Sequence, residues 1–249
     1  TKYVFDNGLE FSLIRRDTKT VVVVPTQSGC KMGCTFCFLT ARKNQEVRNL
    51  SGREIWEGIA QVLDDAPLMG YKDLLISFMS SGEPLNNVDG VRETIIATLV
   101  LKALDSRQMR PVKNMRFGVA SIIPTVKQGM EFVRTIGELQ DQERLGAISV
   151  KLHYSMHATT DETRKKLIPR ATSISSGLSI LDIYRKLGQP TEIHYTPIAG
   201  VNDTDEDLAR LARLANDGGF HVKFLSLKAG ANEALQPSNR IPELLSVIS

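Results

Sequence analysis

Residues 20–37 read TVVVVPTQSGCKMGCTFC, and this stretch decides the fold. Thr20 to Val24 is an unbroken β-branched run, the pattern of a strand buried on both faces. Pro25 ends it. A loop follows at once and carries Cys30, Cys34 and Cys37, the only three cysteines of the chain, at spacing C-x3-C-x2-C. In open α/β folds, sites gather at the C-terminal ends of strands, which is where this loop stands.

Working outward, residues 2–14 read as a hairpin around Asp6-Asn7-Gly8, because Asn-Gly is a strong turn signal. Downstream, Ser51 and Glu54 have capping-box spacing, which predicts a helix running to about Asp64. Strands are expected over Asp73–Met79, Met115–Ser121, Ile148–Ser155, Thr191–Ile198 and Val222–Leu227. Helices are expected over Val88–Ser106, Pro124–Gln140, from Asp161, over Ser175–Leu187 and over Thr204–Asn216. Gly188 and Gly218-Gly219 fall at helix C-caps. Strand–helix alternation repeated in this way implies parallel strands with crossover helices. The length of 249 residues is short for eight such units plus a hairpin. The expected fold is therefore α/β, a partial (β/α)6 TIM-like barrel with a leading β-hairpin. It forms a single domain over 1–249, with the hairpin in 1–19, the barrel in 20–228 and a C-terminal extension in 229–249.

Composition excludes several classes. Apolar residues make up 42% and charged residues 24%, the balance of a soluble globular chain. A net charge of +3 permits nucleic-acid contact without arguing for it. No apolar run approaches a membrane span, and Thr1 begins directly in a strand-like segment without a signal peptide. Three clustered cysteines make no disulfide framework, and their solitude suits a reducing, cytoplasmic setting.

The cysteines admit three readings. A structural zinc site wants four ligands, so His157 or His194 would have to join. The residues could instead be structural, with no ligand role. An iron–sulfur cluster takes four thiolates as a rule. Three would leave one iron open to a ligand that is not protein, the logic of an open catalytic metal position.

The motif Cys30-x3-Cys34-x2-Cys37, with Phe36 before the last cysteine, resembles the signature of radical S-adenosylmethionine (SAM) enzymes. Ser81-Gly82-Glu83-Pro84, after the second strand, resembles the family's GGEP segment. The resemblance implies a [4Fe–4S] cluster on the three cysteines, with SAM completing it, and Gly82, Glu83 and Pro84 holding the SAM amino group. Reductive cleavage of SAM then yields a 5′-deoxyadenosyl radical that abstracts hydrogen from substrate. A low-potential donor such as a flavodoxin would supply the electron.

Within the superfamily, the chain most resembles the RlmN/Cfr branch of RNA adenosine methyltransferases. GEPLNN, YSMHATTDETRKKLIP, HYTPIAGVNDTDEDLARLARL and PSNRI all carry the likeness. By it, Ser155, Met156 and His157 border the SAM site. The departures are specific. The branch uses a cysteine seven residues before the first cluster cysteine, where this chain has Val23. It carries its methyl group on a further cysteine near its C-terminus, a region past the place where this chain stops at Ser249. Its N-terminal accessory RNA-binding domain has no counterpart here. Gly118 stands for a serine on the third strand and Lys228 for an asparagine at the end of the sixth.

Faces alternate along a strand. In VKLHYSMH, Lys151, His153, Ser155 and His157 share one side, and Glu192, His194 and Thr196 repeat the pattern one strand later. A doubly buried strand carries polar groups on one face only where that face lines a cavity. Lys151, His153, His194 and Lys228 are therefore candidates to bind or protonate a polar substrate. The expected function is hydrogen abstraction from such a substrate. Alternatives are an RlmN/Cfr-like RNA adenine methyltransferase whose C-terminal cysteine segment lies beyond Ser249, and a non-catalytic zinc or Fe–S module.

Overall fold

The computed structural model describes residues 1–41, 46–66, 73–104, 112–142, 148–228 and 232–247. Eight strands follow one another in chain order in one mostly parallel sheet, so the fold class is α/β as expected. By density of internal contact the chain resolves into two compact units. The first is Thr1–Cys30, Glu46–Ala120 and Met130–Lys151, and the second is Lys31–Gln45, Ser121–Gly129 and Leu152–Ser249.

In the first unit, β1 (Lys2–Val4) and β2 (Glu10–Arg15) form the antiparallel hairpin, with Gly8 at φ +77° in its turn. β3 (Lys19–Val24) pairs antiparallel with β2 and parallel with β4 (Asp73–Phe78), which pairs parallel with β5 (Asn114–Ser121). Register separates the two faces of these strands. Val22, Ile76 and Phe117 lie side by side and are buried, as are Val24, Phe78 and Val119. The other face carries the row Val23, Ser77 and Gly118, small side chains at one level of three neighbouring strands. Helix α2 (Gly52–Asp65) opens on the capping box that the Ser51/Glu54 spacing predicts, and α3 (Val88–Ala103) opens on Asn87, whose Oδ1 accepts from Gly90 N–H. The expected end of α3 at Ser106 lies outside the described residues.

The second unit holds the short α1 (Phe38–Ala41), most of β6 (Val150–Ser155), β7 (Thr191–Tyr195) and β8 (Val222–Phe224). Both β6–β7 and β7–β8 are parallel pairs. Helices α5 (Asp161–Leu167), α6 (Ile174–Lys186), α7 (Asp205–Asn216) and α8 (Ile241–Val247) complete it, and α4 (Val126–Gln140) has its first turn here and the rest in the first unit. The hydroxyl end of Tyr154 of β6 abuts α6: a Cβ on Gly177 would fall 2.2 Å from its hydroxyl, so glycine is what fits there. That contact turns His153 and Ser155, on the alternate face, away from α6.

Two strands, β7 and β8, end three residues earlier than expected. β7 stops at Tyr195 because the next amides leave the ladder: Thr196 N–H donates to His157 Nδ1, Pro197 has no donor, and Ile198 N–H donates to Asn202 Oδ1. β8 ends at Phe224, opposite Tyr195, since its neighbour offers little further strand to pair with. Lys228 is thus exposed and lies past the strand rather than at its end.

Candidate functional site

In the first unit the chain after β4 turns through Gly82, at φ +100°. A Cβ there would sit 2.7 Å from Gln27 Cβ and 2.8 Å from Gln27 N, so the position demands glycine twice over, by conformation and by space. Gln27 binds the turn back: its Oε1 accepts from Glu83 N–H at 2.9 Å, and its Nε2 donates to Asn49 Oδ1 at 2.8 Å. Ser81 carbonyl accepts from both Thr26 and Gln27 amides. Glu83 is buried, and its carboxylate accepts from Leu85 N–H at 3.0 Å, capping the 3-10 turn Pro84–Asn86. Asn87 Nδ2 donates to the Thr26 and Leu50 carbonyls, each at 2.7 Å. Neutral amide side chains thus clamp the ends of β3 and β4 through backbone groups. Two hydroxyls here, Thr26 Oγ1 and Ser81 Oγ, are buried with no hydrogen-bond partner.

In the second unit Cys34 and Cys37 sit on a tight turn. Cys37 N–H and Thr40 Oγ1 both donate to Cys34 carbonyl, at 3.1 and 2.8 Å. Thr35 N–H donates to Leu167 carbonyl at 2.9 Å and Arg170 to Lys31 carbonyl at 2.7 Å, which ties the turn to the end of α5. Met32 is buried. Phe36 meets His157 edge-on, ring centroids 5.0 Å apart. All three cysteines are reduced and of intermediate exposure, Cys30 lying in the first unit.

Behind that turn lies Arg164, 2% exposed. Its guanidinium donates to the carbonyls of Ser155, Met156, Ile122 and Thr172 and stacks 4.9 Å over Tyr154. A planar five-donor fork suits such a task, whereas a lysine could not reach four acceptors. Arg164 and Asn202, whose Nδ2 donates to the His157 and Thr196 carbonyls, hold His157 at φ +50°. His157 Nδ1 accepts from Thr196 N–H, which leaves Nε2 to carry the proton. Burial drives this imidazole down from 6.5 to about 3, with His194 and Arg164 acting in the same direction.

On β6 and β7, register sets His153 opposite Glu192 and Ser155 opposite His194. Glu192 Oε1 lies 2.9 Å from both His153 Nδ1 and His194 Nε2, and Oε2 lies 3.1 Å from His221 Nδ1. Lys223 Nζ stands 3.8 Å from Oε1. Burial holds His194 down at about 4, outweighing the hydrogen bond it makes to Glu192, which pulls it up.

Of the predicted residues, the structure brings His153 and His194 together on Glu192, and Phe36 onto His157. Gly82, Glu83 and Pro84 form one clamped turn, and Ser155 and Met156 offer their carbonyls to Arg164. Lys151 is half-buried in the first unit, and Lys228 lies in the exposed segment after β8. Sequence reasoning missed Arg164, Gln27 and Asn202 as supports. Asn202 sits inside the quoted VND stretch and Arg164 inside DETRKKL, but their partners are remote in sequence. Glu192 showed only as a polar position on β7.

Cys34 and Cys37, half-buried on a turn pinned by backbone bonds, and Cys30 four residues before Cys34 in sequence make a three-thiol donor set of the kind that suits an iron–sulfur cluster with one vacant ligand position. Unmet buried hydroxyls beside Gly82-Glu83 fit a polar cofactor at that turn.

Residues 24–215 match the model of the radical SAM superfamily. The chain is 32% identical over 222 residues to a probable dual-specificity RNA methyltransferase RlmN of Clostridium perfringens (strain 13 / Type A), covering 88% of this chain and 57% of that protein. It is 32% identical over 251 residues to its namesake in Symbiobacterium thermophilum, covering 97% of this chain and 61% of that one. The chain therefore spans little more than half the length of these curated relatives. Among solved structures, a radical SAM methyltransferase from Sphaerobacter thermophilus superposes with a TM-score of 0.74 at 23% identity, over 100% of this chain and 69% of that one. That likeness is one of fold.

Proposed function

This chain belongs to the radical SAM superfamily, and from that premise we propose that it is the catalytic core of an RNA-modifying enzyme of the RlmN kind, acting on adenine. Identity of 32% across nearly the whole chain to proteins named as RNA methyltransferases carries this reading. It weighs against the narrower expectation of a polar small-molecule substrate. Cys30, Cys34 and Cys37 would hold the [4Fe–4S] cluster, and Gly82, Glu83 and Pro84 would receive the SAM amino group. When bound, cluster and SAM supply a carbon-centred radical after one-electron reduction by a low-potential donor such as a flavodoxin. The chain's own part is placement. Arg164 and Asn202 fix the backbone from Ser155 to His157, Phe36 and His157 wall the cysteine turn with apolar surface, and neutral His157 keeps a donor at Nε2.

One observation favours a second reading. Val23, half-buried in the row with Ser77 and Gly118, occupies the place where the branch carries its resolving cysteine. With a valine there, hydrogen abstraction without methyl transfer is the alternative outcome.

The test is anaerobic incubation of the reconstituted protein with reductant, methyl-labelled SAM and RNA. Label in adenine supports the RNA reading. 5′-Deoxyadenosine with no label in RNA overturns it in favour of the second. Cys34→Ala should lose the cluster absorbance near ~400 nm together with all SAM cleavage. Stoichiometric zinc with no such absorbance in the parent chain would sink both readings.

A further inference from the structure

Three of the chain's four histidines face a single carboxylate, and that carboxylate is buried at the second residue of β7. We propose that His153, Glu192 and His194 form a binding site for a divalent first-row transition metal, separate from the cysteine motif. The candidate ligand atoms, His153 Nδ1, His194 Nε2 and a Glu192 oxygen, lie within 4.8 Å of one another. Ligands around a tetrahedral ion of this kind stand roughly 3.3 Å apart at bond lengths of about 2.0–2.2 Å. Closing the difference takes side-chain rotation and no change of strand register.

Four features support the assignment. Two imidazoles and one carboxylate is a donor set that suits zinc and ferrous iron and leaves coordination positions open. All three ligands stand on paired strands, His153 directly opposite Glu192, so their spacing is set by the ladder rather than by a loop. The two imidazole rings are 4.5 Å apart and tilted by 32°, converging on the same oxygen. The second carboxylate oxygen is engaged by His221 Nδ1 at 3.1 Å, an outer partner of the sort that orients ligating carboxylates.

The charge balance is also workable. Lys223 stands 3.8 Å from Oε1 but is half exposed, so an incoming cation displaces its ammonium into water at little expense. A neutral imidazole can offer its lone pair at either ring nitrogen by moving its proton to the other. The competing account is a hydrogen-bond hub, in which Glu192 only ties β6, β7 and β8 together. The two differ in whether a metal binds.

The experiment uses the cluster-reconstituted full chain, so that the thiols are already ligated. Zinc is titrated by calorimetry, and cobalt(II) is added in parallel for its absorption spectrum. The expected result is one zinc per chain, a cobalt spectrum of nitrogen and oxygen ligation without thiolate charge-transfer bands, and a zinc-dependent rise in melting temperature. Glu192→Gln, nearly isosteric, should weaken zinc about 100-fold or more, and His221→Gln about 10-fold. His194→Ala should abolish binding. If that variant fails to fold, Glu192→Gln and the cobalt spectrum decide alone. No zinc uptake, thiolate bands in the cobalt spectrum, or an unchanged affinity in Glu192→Gln would each overturn the site in favour of the hub. None of these outcomes depends on whether RNA is the substrate.

Discussion

The strand ends of the two units are held by opposite kinds of chemistry. In the first, the turn at Gly82 and the start of α3 are clamped by Gln27, Asn49 and Asn87, uncharged amides bonded to backbone and to one another. In the second, the amide of Asn202 is joined by Arg164, Glu192, His153, His157 and His194, all five charged or titratable and buried. Both arrangements satisfy backbone groups that strands leave open where they end. They differ in what perturbs them. An amide clamp responds to shape alone, whereas an ionic clamp responds to shape, proton activity and cations.

Four measurements sharpen or break that contrast. The largest effect is expected at Arg164→Met, which strips a buried donor from four carbonyls. Unmet acceptors at ~1–3 kcal/mol each place the loss at about 4 kcal/mol or more, read by denaturant unfolding. A loss below about 1 kcal/mol would show that those carbonyls find other partners. Next is Gly82→Ala, where strain at φ +100° and the clash with Gln27 backbone should cost about 2–3 kcal/mol. Its penalty should be the same at pH 7.5 and pH 5, while that of Arg164→Met need not be.

The third is acidification. His157 and His194 are neutral in the fold, at about 3 and about 4, against 6.5 in the unfolded chain. Between pH 6.5 and 4 the unfolded state takes up protons the native state refuses, so stability falls as pH drops and is flat above 6.5. Each histidine contributes about 1.4 kcal/mol per pH unit in that window. The first unit answers later: Glu54 is held down at about 2, chiefly by Arg48 and the Ser51 amide, so its contribution fades only as pH falls from 4.5 toward 2. Hydrogen exchange at pH 5 should therefore loosen the second unit first, and His157→Gln should reduce the slope. Equal loosening of both would break the comparison. The smallest effect is Ser51→Ala, which removes the α2 cap at about 1 kcal/mol and should leave the second unit's exchange untouched.

The legible part of the molecule is the part governed by neighbours in sequence. Period-two and period-3.6 patterns, Asn7-Gly8 and the Ser51/Glu54 box placed the hairpin, the strands and the helix starts within a few residues. The cysteine spacing and the Gly82-Glu83-Pro84 turn are local as well. The errors lie at strand ends, where Thr196 and Ile198 give their amides to His157 and Asn202, partners that no local pattern announces.

By itself, then, the sequence determined the order of elements, the cysteine motif and the family. Those follow from short-range sterics and from residue types that have few other uses. Only the tertiary structure decided that one arginine would serve four carbonyls of three segments, and that histidines 153, 194 and 221 would meet on Glu192. Strand pairing decides such meetings. A shift of register by one residue would turn His153 toward α6 and leave Glu192 without its partners, and nothing in either segment alone sets that register.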